Sequence, residues 1–166
     1  MPFIGIISDS KSEKSIKNIL SNKLEKDSNI IIINDKSIEN LKNIKFETIL
    51  ITNNSKIFEK YQEILKQMIF NTKFLIMNAD IAINLELYQD NILRVITFGF
   101  NPKATVTASS VEEGILLCVQ RTIEDKNANK IEQQEIKIKF DENTEISVNN
   151  LIGIATVVLL YGKLAK

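Results

Sequence analysis

The sequence predicts an α/β fold: a mainly parallel βαβ sheet with flanking helices, then a smaller antiparallel strand region and a buried C-terminal helix. Three observations predict it. Five short apolar runs, of the kind strands buried on both faces show, are separated by segments with helical spacing. The stretch Arg94–Val111, RVITFGFNPKATVTASSV, then changes the pattern. Its β-branched run stops at Gly99-Phe100-Asn101-Pro102, where Asn-Pro breaks the ladder and turns the chain, and a Thr- and Val-rich run follows. Beyond it the chain either alternates, as wet-faced antiparallel strands do, or is apolar all round, as a core helix is. The 166 residues suit one domain, with βα units over 1–101, mostly antiparallel strands over 102–148 and a helix over 149–166.

Taken in order, Phe3–Ser8 is the first strand. Ser10-Lys11-Ser12-Glu13 matches the capping box S-x-x-E, so Ser10 is the expected N-cap of the first helix. Ile16, Ile19, Leu20 and Leu24 recur along that helix at helical spacing. Ile30–Ile33 is the second strand, and Ser37–Ile44 a short helix. Thr48–Ile51 is the third strand. Ser55 caps a helix whose stripe is Phe58, Tyr61, Leu65 and Met68. Phe74–Met77 is the fourth strand, Leu85–Tyr88 a helical turn and Arg94–Phe98 the fifth strand. Ala104–Val111 and Ile115–Ile123 flank the hairpin-like connection Glu112-Glu113-Gly114. Glu135–Phe140 alternates as a strand with one wet face, and Thr144–Val148 follows a turn. Asn149 or Asn150 caps the apolar helix Leu151–Leu164.

Composition narrows the function classes. Lys+Arg and Asp+Glu are 21 each, so no global field favours nucleic acid. No apolar run reaches the ~20 residues that span a bilayer, and MPFIGIISD lacks the basic region of a signal peptide. The expectation is a cytoplasmic protein without a membrane partner. The single cysteine, Cys118, lies in an apolar run and reads as a small buried hydrophobe. The chain has no histidine, which removes His bases, triads and His metal sites together.

In parallel sheets of this kind, ligands bind beyond the carboxyl ends of the strands. Those ends are polar throughout. The candidate ligand rim is Asp9, Ser10, Lys11, Asn53, Asn78, Asp80 and Asn101, with Lys66 on a neighbouring helix. The same residue types also serve as turn formers. A phosphate cradle needs glycines for close backbone approach, but Ser8-Asp9-Ser10-Lys11-Ser12-Glu13-Lys14 has none, and Asp9 would repel a phosphate. Asp80 is a lone acid without a partner acid or base in sequence. The reading assigns no catalytic residue, no metal and no cofactor.

Several segments resemble the central, ATP-binding domain of Mur ligases. FLIMNAD followed by ITFGF resembles that family's strand with Asn-x-Asp and its later strand ending in Phe/Tyr-Gly. TILITN resembles its strand ending in Thr-Asn, and Lys66-Gln67-Met68-Ile69-Phe70 its Ala-Lys-x-x-Ile-Phe helix. VNNLIGIATVVLLYG resembles its Asn-capped helix ending in Leu-Gly. The order is collinear along nearly the whole chain. FIGIISDSKSEKS stands where the family has its glycine-rich phosphate loop. Asn54-Ser55-Lys56 stands in place of the family's Asp-His pair, and Ile146-Ser147 in place of its adenine-contacting His-Asn. Lys66 matches the family's carbamylated lysine by position. The resemblance thus implies the fold and, through these departures, the loss of ATP chemistry.

The resulting expectation is a non-catalytic Mur-ligase-like binding or interaction module for an unknown protein partner or small ligand. Two alternatives stand beside it. One is a weak nucleotide- or amino-acid-binding enzyme remnant at the rim. The other is a structural subunit of a larger ligase-like complex, donating a surface such as Ala104–Ile123.

Overall fold

The computed structural model describes residues 2–26, 28–53, 55–81, 94–140 and 145–163. The five expected strands form a parallel block: β1 (Phe3–Ile7), β2 (Asn29–Ile32), β3 (Thr48–Ile51), β4 (Phe74–Asn78) and β5 (Arg94–Phe98), in the order β2-β1-β3-β4-β5. Their continuous apolar sequences follow from having a helix layer on each face. α1 (Glu13–Lys23) and α5 (Val148–Leu160) cover one face, packing Ile16, Leu20 and Ile152–Leu160 on Ile4, Ile6, Leu50, Ile76 and Phe98. α2 (Ile38–Leu41), α3 (Ser55–Lys60) and α4 (Gln62–Phe70) cover the other, over Ile7, Ile49, Ile51, Leu75 and Met77. The alternation within β3, Ile49 and Ile51 to one layer and Leu50 to the other, is the period-2 signature of a strand.

β6 (Val106–Val111) joins beyond β5, then β7 (Gly114–Val119) and β10 (Gln134–Lys139) complete an eight-stranded sheet. β8 (Ile123–Glu124) and β9 (Lys130–Ile131) pair separately. The strand region after Pro102 was expected to be mostly antiparallel, and β6–β7 and β7–β10 are. β6 itself runs parallel to β5, meeting it only at Phe98↔Val106. The loop between them is short because Asn101 turns the chain twice: its Oδ1 accepts from Lys103 N at 2.9 Å and its carbonyl from Ala104 N at 2.9 Å.

Two expected caps are corrected. Ser10 is not the N-cap of α1; Ser12 is, and without a side-chain cap bond. The Asp9 carbonyl accepts from Ser12 N and Glu13 N at 3.1 and 3.2 Å, so the turn is closed by backbone before Ser10 can act. Ser147, rather than Asn149 or Asn150, caps α5, accepting from Asn150 N at 3.2 Å. α5 therefore starts at Val148, and residues 145–147 are not a strand. The single helix expected after Ser55 divides at Tyr61 into α3 and α4. The expected Leu85–Tyr88 turn lies outside the described residues. Cys118 is half-buried rather than buried. Among the described residues no helix is long and apolar enough to cross a membrane.

α5 is buried on every side from Asn150 to Tyr161. Each large aliphatic side chain so buried contributes roughly 1.5–3 kcal/mol. The helix can lie this close to the sheet because Gly153 has no side chain: a Cβ there would meet the Phe98 ring at 2.7 Å. Phe98 is itself fully buried in the core. Gly153→Val should therefore overpack this contact by about 1–3 kcal/mol. In thermal melts the midpoint should fall by about 2–4 °C for each kcal/mol lost; an unchanged midpoint would contradict the close approach.

Candidate functional site

With this strand order the topological switch lies at the carboxyl ends of β1 and β3. The side chains there bond to one another. Thr52 Oγ1 donates to Ser8 Oγ at 2.7 Å, and Ser8 Oγ to Asp9 Oδ1 at 3.3 Å. Ser12 Oγ donates to Asp9 Oδ2 at 3.0 Å. Ser8 and Thr52 are 1% and 2% exposed, so this chain of hydroxyls is sealed under the turn. Asp9 thus holds both ends of its own loop, by carboxylate and by carbonyl. The Glu13 carboxylate reaches away, accepting from Asn34 Nδ2 at 3.3 and 3.4 Å.

A second polar group forms beyond β4 and β5. Asn78 Nδ2 donates to the Thr52 carbonyl at 3.1 Å, and Asn78 Oδ1 accepts from Asp80 N at 2.9 Å. Gly99, at φ 133°, lies beneath them. A Cβ at Gly99 would come within 3.3 Å of Asn78 Oδ1, 3.4 Å of Asn149 Oδ1 and 3.5 Å of Asp80 Oδ2. Glycine is thus required here by backbone angle, while a Cβ would ask only a small shift of Asn78 Oδ1. Asn149 Oδ1 is buried and has no hydrogen-bond partner among the described residues.

The fold brings Asp9, Asn78 and Asp80 to this rim. Asn53 stands exposed after β3, and Ser10 and Lys11 are exposed in the β1–α1 turn. Lys66 is exposed midway along α4, which runs from the carboxyl toward the amino ends of the strands. Asn101 serves its own turn. Sequence reasoning placed Thr52 at a polar strand end but not in the rim; it missed Ser8, which read as the end of the first strand, and Gly99 and Asn149, whose meeting depends on tertiary packing. Among the described residues no group of three or more acidic, Cys or His side chains could hold a metal ion.

The opposite, amino end of the sheet is more open. A cavity of about 1030 Å³ is bordered by Leu24, Asp125, Lys126, Ile136 and Tyr161, and one of about 650 Å³ by Phe3, Glu47, Phe70, Lys73 and Lys126. An apolar crevice of about 440 Å³ lies between Ile138, Phe140, Ile154 and Val158. Tyr161, at the end of α5, hydrogen-bonds Thr48 at 2.8 Å. Burial above all raises the Tyr161 hydroxyl far above the ordinary tyrosine range, the bond to Thr48 acts in the other direction, and the hydrogen bond to the Glu47 carboxylate and its charge raise it further. No family model matches this chain, and no curated protein does.

Two outcomes follow from this geometry. Ser10→Ala should change stability by no more than about 0.5 kcal/mol, as an exposed substitution does. Asp9→Ala, which strips the Ser8 and Ser12 hydroxyls of their acceptor, should cost about 1–3 kcal/mol; urea midpoints of the two variants check both values.

Tyr161 sets a pH dependence. Its folded pKa is raised above the ordinary value of 10.0, so above pH 10 the unfolded chain binds fewer protons than the folded one. Its contribution is complete below that pH and is lost as pH rises. Urea midpoints should fall between pH 9 and 11, and Tyr161→Phe should make that fall shallower.

Proposed function

We propose that this chain is a non-catalytic binding or interaction module, a cytoplasmic pseudoenzyme on a frame that resembles the Mur ligase central domain. The observation that supports it best is the Asp9 network. Where a nucleotide-binding relative would present free N–H groups, this turn has Ser12 N and Glu13 N bonded to Asp9 and its hydroxyls bonded to the Asp9 carboxylate. A phosphate would have to break those bonds and approach a carboxylate. The sealed hydroxyls fit a helix start that has become structural.

A second reading has its own observation. The convergence of Asn78, Asp80 and Asn149 over Gly99, with an unpartnered buried oxygen, suits a remnant that still holds a small donor-bearing ligand at the rim. The two readings separate by titration. Millimolar ATP or UTP with magnesium should leave the melting temperature unchanged. A rise of several degrees, corresponding to about 1 kcal/mol or more of linked binding, would overturn the first reading in favour of the second.

A further inference from the structure

We propose that this chain pairs with a second copy of itself through β10, the two strands running antiparallel about a twofold axis and joining two sheets into one. The proposal is independent of the rim and of any likeness to Mur ligases.

The argument begins with the position of β10. It is the last strand of the eight-stranded sheet and pairs only with β7. Phe140 N donates to the Glu113 carbonyl at 3.1 Å, so in this antiparallel ladder Gln134, Ile136 and Ile138 also turn their backbone groups toward β7. Glu135, Lys137 and Lys139 turn theirs outward, and among the described residues those groups bond to nothing. All three residues are exposed. A row of free N–H and C=O groups along a strand of six residues is a template for another strand. The opposite edge, β2, has four residues and no charged side chain, so no charge there sets a register.

The side chains choose the partner. β10 reads Gln-Glu-Ile-Lys-Ile-Lys, with both signs of charge on one face and Ile136 and Ile138 on the other. Where two copies meet, outward residues must face outward residues, so the registers about the middle of the strand are centred on Ile136, Lys137 or Ile138. Centred on Ile138, Lys137 faces the partner's Lys139 on both sides of the axis. Centred on Lys137, Glu135 faces the partner's Lys139, but Lys137 faces itself. Like charges directly opposite are destabilising. Centred on Ile136, Glu135 faces the partner's Lys137 and Lys137 the partner's Glu135, and each pair exchanges both backbone hydrogen bonds. Ile136 then meets its own copy at a close, non-hydrogen-bonded position. Neither Glu135 nor Lys137 is committed elsewhere: the ion pairs among the described residues are Arg94–Glu124 and Lys163–Glu25. Ile136 is only half-buried, and the apolar crevice of about 440 Å³ borders Ile138 and Phe140, so this margin of the core is incomplete in one copy.

The test uses the full chain in sedimentation velocity over a concentration series, at low and high salt. A monomer–dimer equilibrium should appear and should weaken with salt. Glu135→Lys and Lys137→Glu, both at exposed positions, should keep the fold, seen by circular dichroism, and should each weaken the dimer about tenfold or more. The double exchange, Glu135→Lys with Lys137→Glu, should restore it. Cross-linking reads the register. In a Cys118→Ser background, Ile136→Cys should form a disulfide-linked dimer under mild oxidation, and Lys139→Cys should not. A monomer at every concentration would overturn the proposal and leave Lys137 and Lys139 as guards of a free edge. A dimer indifferent to the charge reversals, or not restored by the double exchange, would overturn it too. So would a folded Ile136→Cys variant that does not cross-link, or cross-linking at Lys139. None of those results touches the non-catalytic reading, which the nucleotide titration decides separately.

Discussion

The packing of α5 on the sheet is the interaction the rest of the structure depends on. It touches β3, β4, β5, β6 and β7 as well as α1, so one helix spans the parallel block and the antiparallel extension. Without it the pairing at Phe98↔Val106, the bond from Thr105 N to Thr97 Oγ1 and the Arg94–Glu124 ion pair would be left to join them. α5 is short of polar residues because every side faces protein. Its one internal hydroxyl, Thr156, is spent on its own helix, donating to the Ile152 carbonyl at 2.8 Å. The same rigid rod fixes the two polar ends of the molecule. Its first turn delivers Asn149 to the carboxyl ends of the strands, and its last residue delivers Tyr161 to their amino ends.

The two ends are built on opposite principles. At the carboxyl end of β1 and β3, polar groups lie close and are bonded to each other, so their desolvation is offset internally. At the amino end, Tyr161 hydrogen-bonds Thr48 and Glu47, while Lys45, Lys73 and Lys126 line open space without an ion pair to that carboxylate. A buried polar network that is satisfied specifies structure. The usual rule for parallel sheets points to the carboxyl ends.

How much of this was legible in the sequence differs by level. The five parallel strands were, because burial on both faces writes itself as an uninterrupted apolar run such as Ile4–Ile7 or Leu75–Met77. So was α5, because no surface helix is apolar on all sides. Caps were not. Ser10 and Ser12 both stand near Glu13, and Ser147, Asn149 and Asn150 all stand near the start of α5. Local pattern offers each as a cap, and the choice falls to backbone geometry. Asp9 preempted Ser10 by accepting two first-turn N–H groups on its carbonyl. The direction of β6 was also hidden. A seven-residue connection normally suggests an antiparallel neighbour, but Asn101 folds the loop back on itself, and nothing in the apolar pattern records register.

The site was the least legible part, for a physical reason. Rim residues such as Asn53, Asn78 and Asp80 could be named because strand ends are predictable positions. Their partners could not, since Ser8 and Gly99 look like ordinary ends of apolar runs and nothing in sequence joins Thr52 to Ser8. Glu47 shows the limit most plainly. In sequence it is one charge beside Lys45 in a short loop, and a solvated face is the natural reading. Only the backbone bonds to β1 and β4 turn it inward, and only Lys73 and Lys126, from distant segments, give the space around it its charge. A carboxylate set against a buried hydroxyl from the far end of the chain is a property of the assembled sheet.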